Sequence, residues 1–302
     1  MPKSVGLLFM KYTKPHLSIE KQVEVFISRG LLVPNKLFAE SVIRRVGYYR
    51  FSAYCLTFQK IKDQFDKDVY FEDVYSLYLF DCELRCLIFK AISLVEVAFR
   101  ARFSDFLAER FGLFGYVAPK NFDKNFRHEK WLTSIEEELN RSKELFVSHY
   151  KKKYHGSKHF PIWMASEVFL FSTISFGFSG LIYSDQKKIA KDFGVSHTVL
   201  HSWLHSLVYV RNVCAHHSRI WNRTLAIQPT LPQDLLWKDP FTPNEKRIGV
   251  ILLILHYLTK RIGGDDTFKN DVIALIDRSA SLKVDNLIGL PEEWKKHKVF
   301  IL

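Results

Sequence analysis

The segment from Phe71 to Arg110 limits the possible folds more than any other part of this chain. Its apolar residues recur at three- and four-residue steps, which is the period of one face of an α-helix. They are Leu77, Phe80, Leu84, Leu87, Ile88, Ala91, Leu94, Val95 and Ala98. Gly112 and Gly115 follow and predict where the helix ends. A helix this long needs other elements to cover its apolar face, so the segment favours an all-α fold.

Capping residues predict further helices. Ser18, Asn35 and Ser196 each precede a periodic apolar segment and can accept a hydrogen bond from a first-turn N–H. Thr242-Pro243-Asn244-Glu245 has the pattern of a capping box with proline at the first helical position. The predicted helices therefore run from Ser18 to Arg29, Asn35 to Gly47, Phe71 to Arg110, His128 to Tyr154, Ser196 onward, Thr242 to Ile262 and Phe268 to Ala280. No repeat or linker divides the chain, so we predict one domain over residues 1–302.

Two apolar stretches must be considered as a possible secretory signal or membrane-spanning segment. Val5–Met10 is too short for the apolar part of a secretory signal. Ala165–Tyr183 is long enough to span a bilayer, but it contains Glu167 and several hydroxyl residues. We expect a buried core segment there and no membrane association. The four cysteines have no Cys-x-x-Cys spacing and predict reduced thiols in a cytoplasmic protein; they are Cys55, Cys82, Cys86 and Cys214.

The charge balance points to a polyanionic partner. Lysine and arginine number 44 and the acidic residues 32, which gives a net charge of +12. Such an excess favours nucleic acid or another polyanion, although it also serves solubility alone.

The run from Val210 to Arg223 concentrates polar side chains beside an apolar helix face. Arg211 comes four residues after Leu207 and seven after Leu204, so we expect it to continue the buried face. A charge in that position is costly unless it is paired or lines a site. The run is therefore the first candidate for a functional site.

The spacing within this run limits the geometry of a site. Asn212 and His216 are one turn apart and share a face. Arg211 and His216 are five residues apart, roughly 140° around an ideal helix. We expect either that the helix ends before His216 or that a working site combines residues from two chains.

These residue types suit RNA cleavage without a metal. A neutral His216 can take the proton from a ribose 2′-OH, and Arg211 can hold the scissile phosphate and stabilise its growing charge. Asn212 can orient the imidazole or a phosphate oxygen. The product would carry a 2′,3′-cyclic phosphate, and DNA would be left intact because it lacks the nucleophile.

Arg211-Asn212-x-x-x-His216 resembles the signature of HEPN ribonucleases, and the run through Arg223 resembles the hallmark of the AbiD/AbiF abortive-infection family of bacterial anti-phage proteins. Other segments between about residues 14 and 225 resemble the same family. They are Lys14-Pro15, Gln22, Ser28-Arg29-Gly30-Leu31, Tyr48 to Tyr54, Phe71-Glu72-Asp73, Phe80-Asp81, Leu84-Arg85, Glu96 with Arg100, Pro161, Trp163 and Glu167. The chain departs from the family at Ser93. The family resemblance leads us to expect an acidic residue at this position, three residues before Glu96.

The resemblance implies a HEPN-like helical bundle core with additional helices, and a C-terminal helical extension over residues 226–302. It also implies phage defence, with the chain acting as a toxin-like effector. RNA is the implied partner, as a target or as a cognate small structured RNA. HEPN proteins usually build their site across two subunits, and this chain has one motif, so a homodimer is implied.

Nine further residues are candidates for RNA binding or for support of the site: His217, Arg219, Trp221, Asn222, Arg223, Glu96, Arg100, Tyr49 and Arg50. Each has a structural alternative. His217 and residues 219–223 can anchor the next loop instead of binding phosphate or stacking on bases. Glu96 and Arg100 have the spacing of an ordinary helix ion pair. Tyr49 and Arg50 can belong to the core and its rim.

His197, His201 and His205 recur at four-residue steps, which could hold a metal or could serve packing. No carboxylate or cysteine nearby completes a ligand set, and no dinucleotide or phosphate-loop motif is present. We therefore expect neither a metal nor a cofactor. The favoured function is a metal-independent endoribonuclease of phage defence. The alternatives are a non-catalytic RNA-binding protein and a nucleotide-binding or nucleotide-transfer protein.

Overall fold

The computed structural model describes residues 15–302, and within them the regular secondary structure is helical apart from isolated β-bridges. The α-helices are α1 (Ile19–Ser28), α2 (Lys36–Val46), α3 (Tyr48–Cys55), α4 (Phe71–Phe111), α5 (His128–Arg141), α6 (Leu145–Lys153), α7 (Ile162–Ala165), α8 (Phe171–Ser179), α9 (Tyr183–Asp192), α10 (His197–Ala215), α11 (Ile248–Arg261), α12 (Thr267–Arg278), α13 (Val284–Ile288) and α14 (Lys298–Ile301). The all-α prediction is confirmed. Val5–Met10 and Lys14 lie outside the described residues.

The capping residues place the helix starts correctly. Ser18 accepts a hydrogen bond from the backbone N–H of Lys21, and Asn35 accepts one from Phe38 at 3.0 Å. Ser196 accepts one from Val199 at 3.3 Å. The predicted long helix is also confirmed, because α4 runs from Phe71 to Phe111.

Two predicted helices differ from the structure. The helix expected over His128–Tyr154 is interrupted after Arg141, where Ser142 takes an extended conformation. The helix expected from Thr242 begins only at Ile248. There Asn244 accepts a hydrogen bond from the N–H of Lys246, and the carbonyl of Lys246 accepts one from Leu225 at 2.9 Å. These bonds hold the supposed first turn as a loop.

The chain divides into two compact units, Met1–Leu79 and Phe80–Leu302. In the described part of the first unit, α1, α2 and α3 pack on one another. Its core is aromatic: Phe26 stacks on Tyr48 with ring centroids 4.8 Å apart, and Phe51 stacks on Phe71 at 4.6 Å. The single domain over 1–302 stays a prediction.

In the second unit, α10 packs against α8 and α9, while α11 packs against α12 and α14. Phe171, Ile174 and Phe178 of α8 are buried, which confirms that Ala165–Tyr183 contains a core segment. None of the helices between residues 15 and 302 combines the length and the apolar character that crossing a bilayer requires.

Candidate functional site

The candidate motif lies at the C-terminal end of α10. The buried face of this helix includes Trp203, Leu204, Leu207 and Val210. Its last helical residue is Ala215, and His216 is the residue that caps it. The first of the two geometric alternatives is therefore confirmed: the helix ends immediately before His216. His217 then takes a left-handed conformation with φ +53°, which turns the chain away from the helix axis.

Arg211 lies at the edge of the buried face. Its side chain is 31% exposed, so it is less buried than its spacing from Leu207 indicated. Its Nε lies 3.9 Å from Oε2 of Glu96, and its NH1 donates to Oδ1 of Asn212 at 3.3 Å. The guanidinium is thus oriented from two sides while about a third of the side chain remains accessible.

Glu96 of α4 connects Arg211 to a second arginine. Its Oε1 accepts a hydrogen bond from Arg100 NH2 at 2.9 Å, and its side chain is 13% exposed. Arg100 also donates to the carbonyl oxygens of Glu167 and Phe169. The sequence indicated the Glu96–Arg100 pair, but the third member, Arg211, comes from a helix 115 residues further along the chain. A carboxylate between two guanidinium groups keeps both charged side chains in a fixed place.

The imidazole of His216 is solvent-exposed, as is the side chain of Asn212. No hydrogen bond or ion pair joins this imidazole to another side chain among residues 15–302. An exposed imidazole without such a bond can approach an external hydroxyl group.

The loop after the motif is fixed by Asp81, a carboxylate to which the sequence alone assigns no role beyond the family resemblance. Asp81 of α4 is fully buried, and its Oδ1 accepts hydrogen bonds from the backbone N–H groups of Ile220 at 3.1 Å and Trp221 at 2.7 Å. Its other oxygen pairs with Arg85, one turn further along α4. Asp81 lies four residues after Leu77 on the buried stripe of α4. An acidic residue in that position needs a partner, and this signal could have identified it.

Residues 219–223 serve as an anchor in this structure. Trp221 is fully buried, so its ring is not presented to a base. Asn222, at φ +49°, accepts a hydrogen bond from Arg247 at 2.9 Å. Arg223 donates to the hydroxyl of Tyr209 and to the carbonyl of Arg219. These contacts favour the anchoring alternative for Trp221, Asn222 and Arg223.

Tyr49 and Arg50 belong to α3 in the first unit. The ring of Tyr49 is 91% exposed, so it is a surface residue and not part of the core.

The thiols and the candidate metal ligands can also be placed. All four cysteines are free, and burial raises the pKa of the Cys214 thiol to about 12, which keeps it protonated. Between residues 15 and 302, no three or more His, Cys, Asp or Glu side chains are grouped so that they could hold a metal ion. His201 and His205 are instead exposed along α10.

One family matches the chain. The sequence profile described as Abi-like protein matches residues 41–222, which is more than half of the 302 residues and includes both α4 and the motif on α10. The chain matches no curated protein and no solved structure.

Proposed function

This chain belongs to the Abi-like protein family, and we propose that it acts as a metal-independent endoribonuclease. Membership supports a role in abortive-infection defence against phage. The observation that carries the ribonuclease proposal is the arrangement at the end of α10. There Glu96 and Asn212 orient the guanidinium of Arg211, and the exposed His216 directly follows the helix.

Each side chain has a defined chemical role in this proposal. His216 removes the proton from a ribose 2′-OH, which then attacks the adjacent phosphorus. Arg211 holds the non-bridging oxygens and stabilises the charge that grows on them. The bond from phosphorus to the 5′-oxygen breaks, the leaving oxygen takes a proton, and a 2′,3′-cyclic phosphate remains.

A second copy of this chain completes the site in the proposal. Five residues span roughly 140° around an ideal helix, and His216 caps α10, so in this proposal one chain does not bring Arg211 and His216 squarely to one phosphate. On α4, Phe89 lies about two turns before Glu96 and is 41% exposed, and Val97 directly follows Glu96 and is 62% exposed. An apolar strip beside a functional motif is the kind of surface that protein interfaces cover. Pairing of two copies along this strip would bring two motifs to one cleft.

The decisive experiment measures RNA cleavage by the full chain in the presence of a chelator. We expect cleavage of RNA that leaves 2′,3′-cyclic phosphate ends, and none of the same oligonucleotide with 2′-deoxy sugars. His216→Ala should lower cleavage about 10²- to 10⁴-fold, whereas His149→Ala, which removes an exposed histidine on α6, should not change it. Full cleavage activity in His216→Ala would contradict the proposal. Equal cleavage of the RNA and of the 2′-deoxy oligonucleotide would contradict it as well.

RNA binding without cleavage is the second candidate, because a net charge of +12 is sufficient for salt-dependent binding. It predicts that native protein and His216→Ala bind RNA equally and that neither cuts it. Phage protection that His216→Ala preserves would support this candidate over the first.

A further inference from the structure

A cavity of about 750 Å³ opens at the N-terminal end of α10, the end opposite the motif. Lys187 and Lys191 of α9 line one side of it, and residues 230–234 line another. Its volume is within the range of small-molecule sites and is sufficient for a nucleoside phosphate.

The cation-bearing wall is suited to a phosphate. Lys187 and Lys191 are exposed and one helical turn apart, so their ammonium groups project from the same face of α9. Neither forms an ion pair with an acidic side chain in the part of the chain that the structure describes. The hydroxyl of Ser196 is already occupied by the N–H of Val199 and by Thr198. The attraction for an anion therefore comes from the two lysines.

The other walls have a different chemistry. Leu231, which is buried, lines the cavity together with Val195 and Pro232, and these three side chains are apolar. Asp234, also at the cavity, forms no ion pair within residues 15–302 and can accept hydrogen bonds from hydroxyl groups. A ligand that fits has an anionic group, an apolar portion and hydroxyl groups. A nucleotide meets these three requirements, whereas a simple anion meets only the first.

An aromatic pair separates this cavity from a second one. The rings of Tyr183 and His197 lie 4.4 Å apart, and His197 lines both cavities. The second cavity, of about 470 Å³, is lined by Arg127, Tyr183 and Gln186 among others. Tyr183 is 59% exposed, and the Lys187 ammonium lies 4.2 Å from the centroid of its ring, so a base can stack there only if that ammonium moves to its phosphate. An adjacent nucleotide of an RNA strand could thus occupy the second cavity.

We propose that the cavity between α9 and residues 230–234 binds a nucleotide, with its phosphate at Lys187 and Lys191 and its sugar hydroxyls at Asp234. The nucleotide is either free in solution or part of a single RNA strand. The proposal is independent of the ribonuclease proposal, because no residue of the cavity belongs to the motif.

The test measures binding by the full chain bearing His216→Ala, which keeps any RNA intact. The probes are the four nucleoside 5′-monophosphates, a short single-stranded RNA and inorganic phosphate. We expect Lys187→Ala/Lys191→Ala to weaken binding about tenfold or more, because two charge-assisted contacts are lost. The matched control Lys152→Ala/Lys158→Ala removes two exposed lysines elsewhere and should change binding less than about twofold.

The binding results distinguish a free nucleotide from a nucleotide that is part of an RNA strand. If the monophosphates bind and Arg127→Ala has no effect, the ligand is a free nucleotide. If only RNA binds, and Arg127→Ala also weakens it, the ligand is a strand that occupies both cavities. The proposal is overturned if the lysine variant and its control bind the monophosphates and the RNA equally, or if inorganic phosphate binds as tightly as the nucleotides. Circular dichroism of each variant confirms that it is folded. Loss of cleavage by His216→Ala leaves these binding results unaffected.

Discussion

The histidines at the end of α10 and those of the C-terminal helices have opposite environments. His216 and His217 are exposed, whereas His256 of α11 and His297 next to α14 are fully buried. Neither ring nitrogen of His256 has a hydrogen-bond partner among the described residues, and burial lowers its pKa to about 4. The pKa of His297 is also lowered by burial. Solvation therefore decides which imidazole can exchange protons with a ligand and which one fills the core.

The strongest contrast should come from a pair of variants, each of which removes the histidine from one of the two environments. His216→Ala should lower RNA cleavage about 10²- to 10⁴-fold, the usual contribution of a general base, and leave the unfolding free energy unchanged. His256→Ala should leave a cavity and lower the unfolding free energy by about 2–4 kcal/mol, with the activity of the folded protein retained. Denaturant titration and cleavage rates measured on both proteins test this. Equal loss of cleavage activity in His216→Ala and His256→Ala would contradict the distinction between an exposed catalytic histidine and a buried core histidine.

Next in size is the effect of the buried carboxylate that supports the exposed motif. Asp81→Asn should lower the unfolding free energy by about 3–5 kcal/mol, because Arg85 loses its buried counter-charge. The loop at Ile220 and Trp221 should loosen as well. Amide hydrogen exchange at these two residues measures that loosening directly. Asp105→Asn, at an exposed position on the same helix, is the control and should be nearly neutral.

A third prediction concerns the pH dependence of stability, to which His256 should contribute and His216 should not. The folded-state pKa of His256 is about 4 and the ordinary value is 6.5, so the unfolded chain binds the proton more readily. The stability that neutral His256 contributes is complete above about pH 6.5 and is lost as the pH falls towards 4, by up to about 3 kcal/mol. His256→Leu should flatten this dependence in denaturant titrations, and His216→Ala should not. An unchanged slope in His256→Leu would show that other groups cause the acid sensitivity.

The smallest expected effect concerns the contact between α4 and the motif. Glu96→Gln keeps the shape of the side chain but removes the charge that orients Arg211. We expect cleavage to fall about three- to tenfold, in line with the loss of one charge-assisted interaction. Because an acidic group is removed, RNA affinity should stay the same or increase. Glu109→Gln, at an exposed position on α4, provides the control. A fall in affinity equal to the fall in rate would place Glu96 in RNA binding instead.

The sequence predicted those parts of the fold that depend on local chemistry. Ser18, Asn35 and Ser196 cap helices because each side chain reaches an N–H only three residues away. Asn244 has similar local chemistry, but the helix predicted there is absent. The carbonyl of Lys246 is bound by Leu225, a contact between distant segments that no local pattern reveals.

The same distinction applies to the candidate site. Spacing within one helix predicts the Glu96–Arg100 pair, and it makes the end of α10 before His216 one of two alternatives. The contact of Glu96 with Arg211 and the bonds from Asp81 to the loop join residues more than a hundred positions apart. Such contacts depend on how the helices pack. The burial of Trp221 also depends on that packing, so the sequence alone leaves base stacking and anchoring equally open for it.

Because α10 stays helical as far as Ala215, the interval between Arg211 and His216 has the rigidity of a helix rather than the tolerance of a loop. One residue inserted there would rotate His216 by about 100° and shift it by about 1.5 Å relative to Arg211. Insertions in the irregular segment after Leu225 would leave both side chains where they are. Changes in chain length should therefore be accommodated in that segment, while the five-residue interval behaves as a fixed register.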